Sequence, residues 1–266
     1  MFDKALVPLE LRRSQKELSA MIKFLQSLKV DSVHLLHVMS EGIGQKNRLK
    51  NYIDEVAHTL SAETEMELTT EVRDGHVASE ISQAANDSDA DFIYITSNHR
   101  GFMYRTFLGS TSRDVIRLTE KPAFVHKSRP YLLAQDPISR ILYATDFGPT
   151  AQKAIDYVEY LGELVEEIYL LHVGKRAPDP FEEKRRQQEV NTKLEGLAKE
   201  LEADYKSVEF ISEIGSPHKV IQSYSERKEV DLIIMGRLSR PGGPNIMGST
   251  SERVSGSASS SILLIP

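Results

Sequence analysis

The sequence predicts an α/β protein in which one five-stranded parallel-sheet domain occurs twice. Two observations lead there. Short apolar runs alternate with longer segments of helical period, and the same series of segments recurs in the same order about 140 residues later. The length agrees, since 266 residues suit two domains of ordinary size.

In the first half the apolar runs at 4–7, 32–38, 67–73, 91–96 and 122–126 read as strands. Between them Leu18, Met21, Ile22, Leu25 and Leu28 fall at helical spacing, as do Leu49, Ile53, Val56 and Leu60, so each stretch presents one apolar stripe to a core. The second half repeats the order. KALVPLE (4–10) aligns with RILYATDF (140–147), and VHLLHV (33–38) with IYLLHV (168–173). VRDGHVASEI (72–81) aligns with SEIGSPHKVI (212–221), DADFIYIT (89–96) with EVDLIIMG (229–236), and GSTSRDV (109–115) with GSTSERV (248–254). The offset grows by about five between 38 and 72, which places an insertion in the second copy. Most of it lies in DPFEEKRRQQE (179–189), whose mixed charges read as a solvated helix face. Ala151, Ala154, Ile155, Val158 and Leu161 mark one second-half helix, and Val190, Leu194, Leu197 and Leu201 the next. KSRPYLLAQDPIS (127–139) breaks both periodicities, giving domains at 1–130 and 131–266. The run from Ser255 to Ser261 is a poor helix former, so the helix opened after Gly248 is expected to be short and easily displaced.

Composition excludes several functions. The absence of cysteine removes thiolate catalysis, disulfides and Cys-containing metal sites. A net charge of −6, with no basic cluster longer than KRR at 184–186, gives no reason to expect nucleic acid. No apolar run reaches membrane-spanning length and the first residues lack the apolar stretch of a signal peptide, so the expectation is a cytoplasmic protein without membrane partners. His34 and His37, three apart on a strand, point to opposite faces and cannot share a metal. His37 and His172 are equivalent by repeat, and each reads as a hydrogen-bonded histidine near the sheet.

Open parallel sheets bind ligands beyond the carboxyl ends of their strands, where the strand order reverses. In the second half those ends carry Ala144-Thr145-Asp146, His172-Val173 and Met235-Gly236-Arg237. A Gly/Pro-rich loop then leads to Gly248-Ser249-Thr250-Ser251 at the start of a helix. Glycines allow close backbone approach, and a Ser/Thr run at a helix start offers hydroxyls and free N–H groups to an anion.

These residues resemble the universal stress protein family, in two tandem copies covering nearly the whole chain. Asp146 in ILYATDF, Val173 in LLHV, and Gly236 with Gly248-Ser249 match that family's nucleotide-binding pattern: an Asp closing strand 1, a Val after strand 2 and a G-x2-G-x9-G-[ST] loop. The resemblance implies two Rossmann-like (flavodoxin-like) domains about a pseudo-twofold axis. It implies an adenine nucleotide (AMP, ADP or ATP, with magnesium an option for ATP) in the second domain. Asp146 would hold the ribose and adenine side, and Val173 would meet the adenine edge through its backbone. Gly236, Gly248, Ser249 and Thr250 would surround the phosphates, with Ala144, Thr145, Met235, Arg237 and Ser251 beside them.

The pattern is not complete. Gly236 and Gly248 are 12 steps apart where the family has 13, and Ser239 stands in the middle glycine's place. Gly242 and Gly243 can restore close approach, Pro241 and Pro244 stiffen the loop, and Arg237 and Arg240 are candidates for pairing with phosphate oxygens. The first domain departs further, since Glu10 replaces the Asp and Thr96 and His99 replace two glycines. It retains Pro8, Glu10, Val38, Thr96, Arg100, Gly109, Ser110 and Thr111 as a weaker second site, for a simple anion or a nucleotide in an altered pose.

The resemblance implies a nucleotide-responsive stress or regulatory protein whose strands at 123–126 and 262–265 pair within the chain as an internal pseudo-dimer. Tandem chains could pair further into a homodimer. Its alternatives are a scaffold that binds no ligand and an adenylating enzyme, the latter lacking residues for a substrate domain. No residue set offers a positioned base and nucleophile, so slow hydrolysis or self-phosphorylation at Ser249 or Thr250 is the most enzymatic reading.

Overall fold

A computed structural model describes residues 1–11, 13–39, 46–97, 108–127, 138–237 and 247–266. They form two compact units, one holding the described residues up to 127 and the other those from 138 onward. The expected boundary at 130/131 lies outside the described residues.

The first unit runs β1 (Lys4–Pro8), α1 (Gln15–Ser27), β2 (Ser32–Met39), α2 (Lys46–Ser61), β3 (Glu67–Asp74), α3 (Val77–Asp87), β4 (Phe92–Thr96), α4 (Ser110–Leu118) and β5 (Ala123–His126). All pairings are parallel, in the order β3-β2-β1-β4-β5. Parallel neighbours need crossover connections, which the helices between strands supply. The central strands are apolar on both faces: Ala5, Leu6, Val7, Phe92 and Ile93 are buried. Leu18, Met21, Ile22 and Leu25 form the buried stripe of α1. Ser14 caps that helix, and its hydroxyl and backbone pair reciprocally with Glu17.

The second unit runs β6 (Arg140–Ala144), α5 (Pro149–Lys153), α6 (Ile155–Gly162), β7 (Glu167–Gly174), α7 (Pro180–Leu201), β8 (Ser207–Ile214), α8 (Pro217–Arg227), β9 (Leu232–Gly236), α9 (Ser249–Ser257) and β10 (Ser261–Ile265). Its parallel order, β8-β7-β6-β9-β10, repeats the first. Small devices repeat too. Asp91 accepts from the Lys4 N–H at the start of β1, as Asp231 does from Ser139 and Arg140 at the start of β6. Gly75 (φ +147°) and Gly215 (φ +159°) turn the chain after β3 and β8 with backbone angles that side-chain-bearing residues rarely adopt.

Two sequence expectations differ from the structure for physical causes, and a third, the insertion, falls on the helix expected for it. The helix expected as one piece around Ala151–Leu161 is divided at Ala154 into α5 and α6. The Ala151 carbonyl accepts from the Tyr143 hydroxyl at 2.5 Å and from the Ala154 N–H at 3.0 Å, drawing it away from regular helical pairing. The insertion lengthens a helix: α7 has 22 residues and its counterpart α2 has 16. The serine-rich segment is not a fragment, since α9 has nine residues, as many as α4, and takes in Ser255, Gly256 and Ser257. Tertiary burial overrides propensity there. Val254 and Ser255 are fully buried, and Ser251, Ser255 and Ser257 turn their hydroxyls onto carbonyls one turn back.

Candidate functional site

In each unit the strand order reverses between the first strand (β1 or β6) and the fourth (β4 or β9), and a cavity of about 260 Å³ opens there at the carboxyl ends of the strands.

In the second unit β6 ends at Ala144, and Thr145 Oγ1 accepts the Phe147 N–H at 2.9 Å. Asp146 closes the turn, its Oδ1 accepting from Gly148 N–H at 2.9 Å, and Phe147 takes a positive φ of 58°. Asp146 is exposed, and its Oδ2 has no hydrogen-bond partner among the described residues. His172, at the end of β7, donates through Nδ1 to the Thr145 carbonyl at 2.9 Å and stacks on Phe147, 5.2 Å between ring centres. Burial holds its pKa below the ordinary histidine value, which keeps it neutral and suited to this positioning bond. Lys193 lies over the other ring of the stack, 5.4 Å from the centre of Phe147.

The far wall is β9 and α9. Arg237 N–H donates to Ile265 O at 2.7 Å, and Arg237 O accepts from Gly248 N–H at 2.9 Å and Ser251 Oγ at 2.7 Å. Ser251 Oγ also reaches Gly248 O at 2.9 Å. The two ends of the glycine-rich loop are thereby tied together.

The structure gathers most of the expected residues around this cavity. Ala144, Thr145, Asp146, Val173, Met235 and Gly236 line it from the strands, and Thr250 and Ser251 from α9. Gly248 and Ser249 sit at the helix start without lining it, and the buried Arg237 side chain is neither a solvated surface group nor part of the lining. The Ser251 hydroxyl is engaged with backbone carbonyls. Ser239, Arg240, Pro241, Gly242, Gly243 and Pro244 lie outside the described residues.

Sequence reasoning missed Thr150 and Lys175. Lys175, two residues beyond Val173, brings an ammonium group to the lining. Thr150 explains Gly236: a Cβ there would stand 2.4 Å from Thr150 Oγ1 and 3.2 Å from the Ala151 nitrogen. That glycine is required by packing inside the unit, whatever ligand the cavity takes. Nearby, the Arg186 guanidinium lies over Gly174 and pairs with Glu183 at 2.7 Å. The Arg186 bonds and the Ala177 N–H push the Glu183 pKa down to about 2.

The first cavity is lined by Pro8, Glu10, Val38, Thr96 and Thr111 of the expected set. Gly109 and Ser110 flank it at the start of α4, and His99 and Arg100 lie outside the described residues. His37 Nδ1 donates to Leu9 O at 3.0 Å, as His172 does to Thr145 O, which fixes the correspondence of the two units. By that register Glu10 stands where Asp146 is and Arg13 where Pro149 is. Arg13 was missed as well. Its guanidinium donates to Thr96 Oγ1, beside the buried hydrogen-bonded pair Tyr94 and His126. The signal was the pair of arginines following the first strand, for which the repeat offers no counterpart.

Comparison with known proteins agrees with the fold. The chain is similar throughout to the crystal structure of a universal stress protein from Archaeoglobus fulgidus, with a TM-score of 0.79 at 20% identity, covering 100% of this chain and 98% of that one. It is 30% identical over 151 residues to universal stress protein MJ0577 of Methanocaldococcus jannaschii, 47% of this chain and 93% of the relative. The universal stress protein family model matches residues 1–127 and again 137–266, so the chain belongs to that family, as two of its domains in tandem.

Proposed function

We propose that the second unit binds an adenine nucleotide in its cavity and that the protein is a nucleotide-responsive member of the stress-response family. One observation carries the reading: Asp146, Val173, Gly236 and Thr250, far apart in sequence, line a single cavity at the point where strand order reverses. The Asp146 carboxylate suits ribose hydroxyls, which are donors to an acceptor-only group. The strand end at Val173 offers backbone groups to a base edge, and Lys175, Thr250 and the start of α9 favour anionic oxygens. Asp146 and Lys175 give the cavity one charge of each sign, an acceptor for sugar hydroxyls and a cation for phosphate oxygens.

Titration calorimetry of the full chain with AMP, ADP and ATP, with and without magnesium, tests this. Binding of at least one nucleotide is expected, lost in Asp146→Ala and retained in Glu10→Ala. No heat with any of the three, and no nucleotide in the mass spectrum of the purified protein, would overturn it.

The reading extends to assembly. β5 and β10 are edge strands of their own units and wholly apolar but for His126 and Ser261, and such edges favour pairing. We take them to pair within the chain. Slow amide exchange along 123–126 and 262–265 in the dilute protein is expected, and rapid exchange there would refute it.

A further inference from the structure

We propose that β8, the outer strand of the second unit, pairs antiparallel with β8 of a second copy of this chain, Phe210 meeting Phe210 of that copy across a twofold axis. Among the described residues β8 is paired only with β7, so its other edge is open. The Ser207 N–H donates to Glu166 O at 3.1 Å and the Gly215 N–H to Gly174 O at 3.0 Å, and the register between them is unbroken. In a parallel ladder alternate residues serve one neighbour, so Glu209, Ile211 and Glu213 turn their backbone groups to β7. Val208, Phe210, Ser212 and Ile214 present theirs to the open side.

The first unit blunts the same edge. There the Gly75 N–H donates to Met39 O as the Gly215 N–H does to Gly174 O, so Thr70 of β3 corresponds to Phe210. Thr70 is hydrogen-bonded to Lys50 and Asp54 of α2, which brings charged side chains beside the strand. Charge along an edge is a common device against pairing. In β8 the middle of the strand instead holds a phenylalanine that stays 41% exposed, and none of the four residues with outward backbone groups is charged.

The occupant is a second copy because the strand is complementary to itself in one register. A twofold centred on Phe210 sets Glu209 against Ile211, Val208 against Ser212 and Ser207 against Glu213, so no like charges stand opposite. Glu209 is balanced within its own unit by Lys228 at 2.6 Å. Centring on Ile211 would oppose Glu209 to Glu213 twice, and centring on Glu209 would oppose that residue to itself. Centring on Ser212 would leave Ser207, Val208 and Glu209 without partners in the strand. With Phe210 on the axis, the two rings add an aromatic pair to the ladder. The same patch serves both copies, so the assembly closes as a dimer. This inference is independent of whether either cavity takes a nucleotide.

The test is sedimentation equilibrium of the full chain across micromolar concentrations, where a reversible dimer is expected. Phe210→Lys removes the aromatic pair and opposes two ammonium groups at the axis, so it should weaken the dimer by roughly tenfold or more. The chain has no cysteine, so single cysteine variants report the register. Hydrogen-bonded antiparallel partners stand about 5.5 Å apart between Cα atoms, within reach of a disulfide. Phe210→Cys should therefore cross-link two chains under mild oxidation. Ile211→Cys, which faces Glu209 of the second copy, should not. Should Phe210→Lys fail to fold, the two cysteine variants decide. A wild type that stays monomeric, a dimer unaffected by Phe210→Lys, or cross-linking at 211 rather than 210 overturns the proposal.

Discussion

Thr150 Oγ1 sits 2.4 Å from where a Cβ on Gly236 would be, so the last residue of β9 is a glycine because α5 packs against it. Thr150 Cβ at 3.0 Å and the Ala151 nitrogen at 3.2 Å close the same space. Gly236→Ala is therefore expected to destabilise the second unit by about 1–3 kcal/mol through overpacking. Combining it with Thr150→Ala should recover part of that loss in a double-mutant cycle of urea melts. A Gly236→Ala protein as stable as wild type would refute the packing account.

Gly174 gives the opposite expectation. A Cβ there would meet Arg186 Nη1 at 2.1 Å, but that is the end of a flexible side chain, which can swing away. Gly174→Ala should change stability by less than about 1 kcal/mol, in the range of surface substitutions. It should also separate Arg186 from Glu183, so the Glu183 pKa, held at about 2, should rise toward the ordinary carboxylate range in a carbon-detected NMR titration. A Glu183 titration unchanged in the variant would show that the Ala177 N–H suffices to hold it.

His126 makes stability depend on pH. Burial, with Arg13 nearby, pushes its pKa down to about 4 from 6.5, while the unfolded chain protonates it normally. The unfolded state therefore binds more protons between those values. The contribution of a neutral His126 is fully present above about pH 6.5 and is lost as pH falls toward 4, on the order of 3 kcal/mol in all. Urea melts from pH 7 to 4 should show a steeper fall for wild type than for His126→Phe. Parallel curves would mean that His126 is not the group responsible.

Ser249 and Ser251 stand two residues apart in the same motif yet should behave differently. Ser251 is buried and bonds to Arg237 O and Gly248 O, whereas Ser249 is exposed. Ser251→Ala should cost roughly 1–2 kcal/mol, having left buried carbonyls short of a donor, and should weaken the proposed nucleotide binding by loosening the join between β9 and α9. Ser249→Ala should leave thermal stability within about 0.5 kcal/mol of wild type. Equal melting temperatures for the two variants would contradict this division.

The sequence by itself determined the repeat, the parallel α/β architecture and nearly every strand, because short apolar runs separated by amphipathic helices leave few other ways to bury both faces of a sheet. It also determined which residues end the strands, and so the positions of Asp146, Val173 and Gly236 around one cavity. Only the tertiary structure decided what local patterns do not carry. Ser255 to Ser257 are helical because Val254 and Ser255 are buried, not because serine favours helix. Gly236 is explained by Thr150, on a different element. Arg13 meets Thr96 across 83 residues of chain, a contact that no periodicity encodes. Secondary structure follows from neighbours a few residues apart. The chemistry of each cavity follows from side chains that meet only when the sheet is assembled, which is how two copies of one fold come to present a carboxylate with a lysine in one cavity and an arginine with a glutamate in the other.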